Sequence, residues 1–124
     1  MVLVDTSVWI DHLRNSQDHL QFLLRETEVV CHPFVIGELA CGHLTNLAEI
    51  LTLLKTLPMA PQLDFDESLF FSDEHQLPGR GIGFAAVHLL ASAALGQVKL
   101  WTNDKRLKST AADLDLDYKR QGIR

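Results

Sequence analysis

The sequence predicts an α/β fold of three layers, in which helices cover both faces of a mostly parallel sheet. Short apolar runs, such as residues 2–4 and 98–102, alternate along the chain with longer stretches of helical periodicity. Consecutive strands are joined by long crossovers, which parallel pairing requires. The length of 124 residues fits a single domain, 1–124, with a buried core.

Caps and apolar periodicity define the elements up to residue 61. Thr6 or Ser7 can cap the helix after the first strand, because a hydroxyl can bind the free amides of a first turn. Pro33 suits a first helical turn, and Asn46 precedes a stretch with a 3.6-residue apolar period. The predicted order is a strand at 2–4, a helix that includes 8–13, a helix from about Ser16, a strand at 28–31, helices at 34–42 and 47–57, and a very short strand or turn at 58–61.

The second half of the chain contains one almost wholly apolar helix. Residues 84–95 form it, so we expect it to be buried, and Gly96 closes it. The glycine-rich loop at 77–83 lacks the Lys-Ser/Thr end of a phosphate-binding P-loop. The remaining elements are a helix capped by Asp66 that reaches Leu77, a strand at 98–102, a helix at 105–112 and a last short strand at 116–119.

Several classes of protein are excluded by composition. The longest apolar stretch is far shorter than the roughly 20 residues of a membrane span. The N-terminus has neither the basic region nor the cleavage site of a secretory signal. Cys31 and Cys41 form neither a disulfide framework nor a zinc motif, and we interpret them as reduced thiols. We therefore expect a cytoplasmic protein with no membrane contact.

Charge is distributed unevenly along the chain. The net charge is −5, composed of −8 over residues 1–98 and +3 over residues 99–124. An acidic body beside a basic segment suits a protein that binds a cation next to a polyanion. Ordinary surface charge explains the same distribution.

Two carboxylates follow predicted strands, where sites form in open parallel sheets. Asp5 directly follows the first strand, and Asp104 follows the strand at 98–102 after two residues. Glu38 is a third candidate, because it lies in an apolar helix where a charge is costly unless it is paired. Oxygen ligands without a Cys/His set favour Mg²⁺ or Mn²⁺ over zinc.

Simpler interpretations of these residues stay open. An Asp after a strand is often only a helix N-cap, and Glu38 can lie exposed at the rim. Thr6, Ser7 and Thr102 can all be caps. His88, Trp9 and Trp101 are expected in the core.

Four segments carry a family resemblance. They are LVDTSVWIDHLR at 3–14, FVIGELACG at 34–42, GIGFAAVHLLASAAL at 81–95 and LWTNDKRLKSTA at 100–111. In this order and spacing they resemble the VapC toxins, the PIN-domain ribonucleases of bacterial VapBC toxin–antitoxin pairs. The resemblance implies an α/β/α fold with a parallel sheet of about five strands.

The resemblance also implies an acidic Mg²⁺ site that cleaves RNA, often tRNA. Its acids fall on Asp5, Glu38 and Asp104, with Thr6 and Thr102 at the hydroxyl positions. A further acid is expected where this chain has Ala86, so this copy is predicted to be impaired, by engineering or by natural change. The products would carry a 5′-phosphate and a 3′-hydroxyl. Candidate phosphate contacts are Arg80, Lys105, Arg106 and Lys108.

Partners and alternatives complete the expectations. The first two helices and residues 47–57 have more apolar residues than one small sheet face covers, which predicts a homodimer and a groove for a helix of a VapB-type antitoxin. The alternative to the enzyme is a silent PIN-like module that binds RNA or protein, which Ala86 favours. A phosphotransfer or phosphatase domain built on Asp5 is disfavoured, because such sites need a second nearby acid where this chain has Ser7.

Overall fold

The computed structural model describes residues 1–120, so residues 121–124 of the predicted domain lie outside the described part of the chain. Within that part no helix is both long and apolar enough to cross a membrane. The elements are, in chain order, β1 (Val2–Val4), α1 (Thr6–Asn15), α2 (Asp18–Arg25), β2 (Val29–Val30), α3 (Pro33–Ala40), α4 (Leu47–Leu54), α5 (Phe65–Glu74), α6 (Phe84–Gly96), β3 (Lys99–Trp101) and α7 (Lys105–Asp113).

The sheet is parallel and is centred on β1. Its order is β2-β1-β3, with Leu3 opposite Val30 on one side and Leu100 on the other. Leu3, Val4 and Leu100 are fully buried, as expected of a central strand covered on both faces. The predicted α/β class is confirmed.

The predicted count of about five strands needs correction, because the described residues form three strands. The segments at 58–61 and 116–119 each contribute a single parallel bridge, Cys31 to Met59 and Leu100 to Asp117, at the two sheet edges. Pro58 and Pro61 flank the first bridge, and proline has no N–H to extend a ladder. Asp115, with a φ of 58°, turns the chain just before the second.

The layers follow from the strand order. The crossover from β1 to β2 and the crossover from β2 to β3 run in opposite directions along the sheet. Because such crossovers are right-handed, α1 and α2 lie on one face of the sheet. The bridge from Cys31 to Met59 extends the sheet beyond β2 in the same direction, so α3 and α4 share that face, whereas α5 and α6, which return to β3, lie on the other. The strand order therefore reverses at β1, and a crevice opens beside the carboxyl ends of β1 and β3.

Two predicted helix starts were wrong. Asp64, not Asp66, caps α5: its Oδ1 accepts from the Glu67 amide at 2.7 Å, and Glu67 Oε1 accepts from the Asp64 amide at 2.8 Å. This reciprocal pair satisfies two free amides, whereas a start at Asp66 would satisfy neither. Thr6 and Ser7 lie inside α1, whose N-cap is Asp5.

Two histidines connect the helices behind the sheet. His32, at the N-cap of α3, is fully buried, and its Nδ1 accepts from the Phe34 amide at 3.0 Å. Its Nε2 therefore carries the proton and donates to Ser92 Oγ at 3.1 Å. His88 is buried and shares a 3.1 Å hydrogen bond with Ser68 Oγ of α5, which confirms it as a core histidine. Trp9 is also buried in the core, whereas Trp101 is only half-buried.

Burial, with a smaller effect from the neighbouring His88, lowers the pKa of His32 from 6.5 to about 4. Stability linked to neutral His32 is therefore complete above pH 6.5 and is lost as the pH falls towards 4. We expect a loss of about 3 kcal/mol in unfolding free energy over this range. Urea denaturation at several pH values measures it.

The variant His32→Asn keeps a capping side chain and removes the imidazole. We expect it to be less stable than wild type at pH 7 and to lose most of the acid dependence. His75→Asn, which changes a histidine with 37% side-chain exposure, is the control and keeps that dependence. An unchanged pH profile in His32→Asn would contradict the assignment.

Candidate active site

The crevice beside β1 and β3 contains Asp5. The backbone joins the two strand ends directly, since the Asp5 amide donates to the Trp101 carbonyl at 2.9 Å. Asp5 is only 8% exposed, yet it is a carboxylate at the end of an apolar strand. Such a side chain needs polar partners, because an uncompensated buried charge is costly.

Two hydroxyls supply these partners. Ser7 Oγ and Thr102 Oγ1 both donate to Asp5 Oδ2, at 2.8 and 2.7 Å. Each hydroxyl also accepts from the backbone of the β3–α7 connection: Ser7 from the Asn103 amide at 3.0 Å, and Thr102 from the Asp104 amide at 3.1 Å. Oδ2 is thus fully engaged, whereas Oδ1 has no hydrogen-bond partner among residues 1–120.

Asp5 and Asp104 differ in what their carboxylates do. Asp5 occupies the N-cap position of α1 but makes no capping hydrogen bond with its side chain. Asp104 caps α7 in the ordinary way, with Oδ1 accepting from the Leu107 amide at 3.1 Å, and is exposed. The interpretation as a simple cap therefore holds for one oxygen of Asp104 and fails for Asp5.

Glu38 is attached to the same end of β1 through Thr6. Thr6 Oγ1 donates to Glu38 Oε1 at 2.7 Å, which joins the first turn of α1 to α3. Glu38 is exposed, so the expected cost of burying its charge does not arise. Glu38 is therefore joined to Thr6, the residue that follows Asp5 in the chain, at the mouth of the crevice.

Ala86 lies in the first turn of α6 and is half-buried. It lies on the same helix face as Leu90 and Ala93, which are fully buried. The N-cap of α6 is Gly83, which offers no side-chain cap, and the first turn contains no acidic residue. The methyl group of Ala86 therefore offers no oxygen ligand to the site.

The carboxylate oxygens of the site suit a divalent cation, but the site contains few of them. Within residues 1–120, no Lys or Arg forms an ion pair with Asp5, Glu38 or Asp104. No cluster of three or more His, Cys, Asp or Glu side chains that could hold a metal occurs in that part of the chain. Mg²⁺ keeps several waters and needs only one or two carboxylates, so the chemistry of the residues present fits this cation.

The four cationic candidates are not equivalent. Arg80 pairs with Asp113 at 2.8 Å and Lys108 with Asp117 at 3.1 Å, so these charges are partly neutralised. Arg106 lies against Gly81, whose φ of 79° is a left-handed conformation that favours glycine. Lys105 is exposed in the first turn of α7.

Ser7 was identified from the sequence only as a possible cap. Its role became clear only in the structure, because its partner amide at Asn103 is 96 residues away in the chain. The available signal was the symmetry of the two segments: a hydroxyl lies two residues after Asp5, and another lies two residues before Asp104.

Comparison with known proteins places these residues in a family. The PIN domain profile matches residues 2–113. Ribonuclease VapC32 from two strains of Mycobacterium tuberculosis is 46% identical over 114 residues, covering 91% of this chain and 92% of the relative. The crystal structure of PAE2754 from Pyrobaculum aerophilum shares the fold, with a TM-score of 0.60 at 18% identity, over 88% of this chain and 78% of that one.

Removing the Thr102 hydroxyl tests the hydrogen-bond network around Asp5. In Thr102→Val, the Asp104 amide loses its acceptor and Asp5 Oδ2 loses one of its two donors. We expect an unfolding free energy lower by about 1–3 kcal/mol, whereas Thr102→Ser retains most of the stability. Urea denaturation at neutral pH makes the measurement.

Thr52→Val is the matched control. Its hydroxyl donates to the Ala48 carbonyl on the exposed side of α4, so we expect a change within about 0.5 kcal/mol. Equal losses in Thr102→Val and Thr52→Val would show that the network contributes nothing beyond an exposed hydroxyl.

Proposed function

The chain belongs to the PIN-domain family and, within it, to the VapC ribonucleases, and from that premise we propose a metal-dependent endoribonuclease toxin of a toxin–antitoxin system. One observation carries the proposal. The buried Asp5 has one oxygen held by two hydroxyls and the other without a partner among the described residues, at the point where strand order reverses. This arrangement suits a fixed ligand.

We propose Mg²⁺, or Mn²⁺ in its place, as the cofactor. Asp5 would bind it directly through Oδ1, and Asp104 through the oxygen that does not cap α7. Glu38 would act through a metal-bound water. When bound, the cation supplies an acidified water and positive charge at the scissile phosphate.

The protein's own groups would position the reactants. Thr6 holds one oxygen of Glu38, which leaves the other to orient the attacking water. The water oxygen would bond to phosphorus as the bond from phosphorus to the ribose 3′-oxygen breaks. The water would pass a proton to Glu38 and the leaving 3′-oxygen would take up one proton, which leaves a 5′-phosphate and a 3′-hydroxyl. Lys105 and Arg106 would contact neighbouring phosphates, with Arg80 and Lys108 available once their surface ion pairs open.

The proposed substrate is RNA, with tRNA suggested only by the resemblance to VapC toxins. RNA is a cytoplasmic substrate, and the two free thiols, Cys31 and Cys41, are compatible with that compartment.

A second candidate function is a catalytically silent module that binds RNA or protein. Ala86 favours it, together with the absence of a three-residue ligand cluster among residues 1–120. Both candidates keep Asp5 and its hydroxyls, so only restoring an acid at residue 86 separates them.

We expect Ala86→Asp to be folded and to cleave RNA in the presence of Mg²⁺ or Mn²⁺. An Asp in the first turn of α6 is stabilised by the helix N-terminus by about 0.3–1 kcal/mol. It also adds a carboxylate on the face that α6 turns towards the core. Calorimetry with Mn²⁺ and gel analysis of total RNA, with EDTA as the metal-free arm, make the measurement.

The control is the double variant Asp5→Asn with Ala86→Asp. An asparagine carbonyl can still accept from Ser7 and Thr102, so the fold is expected to persist while metal affinity and cleavage fall. A folded Ala86→Asp protein that binds Mn²⁺ and leaves all RNA intact would make the silent module correct.

For the antitoxin we propose a groove of about 300 Å³ between α1 and α4. Its walls are apolar, with Leu13, Ile50 and Leu53 among them. Trp9 also lines it, and the buried Nε1–H of Trp9 has no acceptor in the described part of the chain. An apolar helix of a VapB-type partner would fill the groove.

For the homodimer we propose the opposite side of the molecule. Exposed apolar side chains there include Phe65, Leu69 and Phe70 of α5 and Phe84 of α6, and the rings of Phe65 and Phe84 are 5.6 Å apart. Apolar surface of this kind is typical of self-association.

Two variants test these surfaces against each other. Phe70 and Leu53 are 66% and 67% exposed, so replacing either by Glu leaves the core intact. We expect Phe70→Glu to be monomeric by light scattering while still capturing the co-produced antitoxin. We expect Leu53→Glu to remain dimeric and to lose the antitoxin. If Phe70→Glu remains dimeric, the surface of α5 and α6 is not the dimer interface. If Leu53→Glu still captures the antitoxin fully, the groove between α1 and α4 is not the antitoxin site.

A further inference from the structure

Four rings form a cluster on the face of the sheet that carries α1 and α2. We name it the aromatic platform; it consists of His19, Phe22, Trp101 and Tyr118. The His19 ring lies 5.5 Å from Trp101, 5.8 Å from Tyr118 and 6.1 Å from Phe22 between centroids. Nothing in the proposed reaction uses these residues.

Three rings of the platform are nearly parallel. His19 Nε2 and the Tyr118 hydroxyl are 2.6 Å apart, and both atoms lie in the planes of their rings. The angle between these two planes is only 17°, and the Phe22 ring is within 19° of His19. A hydrogen bond through ring edges at so small an angle places the His19 and Tyr118 rings side by side in nearly one plane. The Phe22 ring is nearly parallel to them, and the Trp101 ring is inclined by 62° to His19.

The topology leaves this surface open. The crossover through α1 and α2 runs from β1 to β2, away from β3, and α2 reaches β3 through the contact of His19 with Trp101. Phe22 is 48% exposed, and the other three rings are half-buried. The platform also lies next to the site, since Trp101 precedes Thr102 and its carbonyl accepts from the Asp5 amide.

Charge around the platform is mixed, and one cation, Arg120, influences both polar rings. Arg120 acts on both His19 and Tyr118: burial first and Arg120 second lower the pKa of His19, which keeps the imidazole neutral at pH 7. Burial raises the pKa of Tyr118, against the effect of Arg120, while Glu28 adds to the rise. Flat neutral rings beside an arginine suit a nucleotide, whose base stacks and whose phosphate is anionic.

We propose that the aromatic platform stacks an unpaired base of the RNA that the crevice cleaves, with Arg120 contacting the adjoining phosphate. This inference rests on the proposed function, and it adds a base-stacking subsite beside the crevice. A duplex offers no free base face, so the platform discriminates against it.

The test measures binding without cleavage. A fluorescently labelled single-stranded RNA of mixed sequence is titrated with the full chain in EDTA, and anisotropy gives the affinity. We expect Phe22→Leu, which keeps apolar bulk but removes the ring, to bind about five- to a hundredfold more weakly. Phe22→Trp should bind at least as tightly as wild type. A double-stranded RNA of the same sequence should bind the wild type and Phe22→Leu equally.

The phosphate contact has its own arm. Arg120→Gln should lower the slope of log affinity against log salt by about one unit, whereas Lys55→Gln, a control on the α4 side, should leave it unchanged.

Equal affinity of Phe22→Leu and wild type for single-stranded RNA would overturn the platform, even with cleavage by Ala86→Asp intact. A shift of Phe22→Leu from dimer to monomer with unchanged RNA affinity would assign the surface to protein contact instead and would overturn the proposal. If Ala86→Asp does not cleave RNA while binding still requires the Phe22 ring, the proposed ribonuclease activity is wrong and the base-stacking role of the aromatic platform is supported.

Discussion

The position of the Asp5 carboxylate depends on two hydroxyl groups, and the candidate site depends on that position. Ser7 and Thr102 each donate to Oδ2 and each accept from a backbone amide after β3. Both hydroxyls and Oδ2 are therefore paired, which a buried polar network needs if it is to stabilise a fold. The same four hydrogen bonds join the end of β1 to the start of α7 and leave Oδ1 without a hydrogen-bond partner among residues 1–120.

Much of this fold could be predicted from the sequence, because it depends on local pattern. The alternation of short strands and long crossovers predicted the parallel sheet, and the apolar run of α6 predicted its burial. The acids at strand ends follow from the rule that parallel sheets bind ligands at carboxyl edges. The positions of Asp5 and Asp104 at those ends thus needed no tertiary information.

The remaining features depend on contacts between distant residues. The cap at Asp64 required a choice between two similar acids, which the reciprocal bond to Glu67 decides. Each of the two edge segments forms a single bridge and no strand. The prolines near Met59 explain why the first segment pairs no further, but only once its pairing with Cys31 is known. The ion pairs of Arg80 and Lys108 join residues that no local pattern connects. Side-chain partners of this kind are decided by packing, not by periodicity.

Ala86 changes the electrostatic balance of the site. Carboxylates gathered without a cation repel one another, and each added acid destabilises the metal-free fold. In this chain Asp5 is compensated by hydroxyls, Asp104 by the amide that it caps and Glu38 by Thr6 and by solvent. A fourth acid on α6 would face the core side of its helix, where solvent screens charge less. With alanine at this position, the site has three compensated carboxylates and no fourth charge that a cation would need to balance.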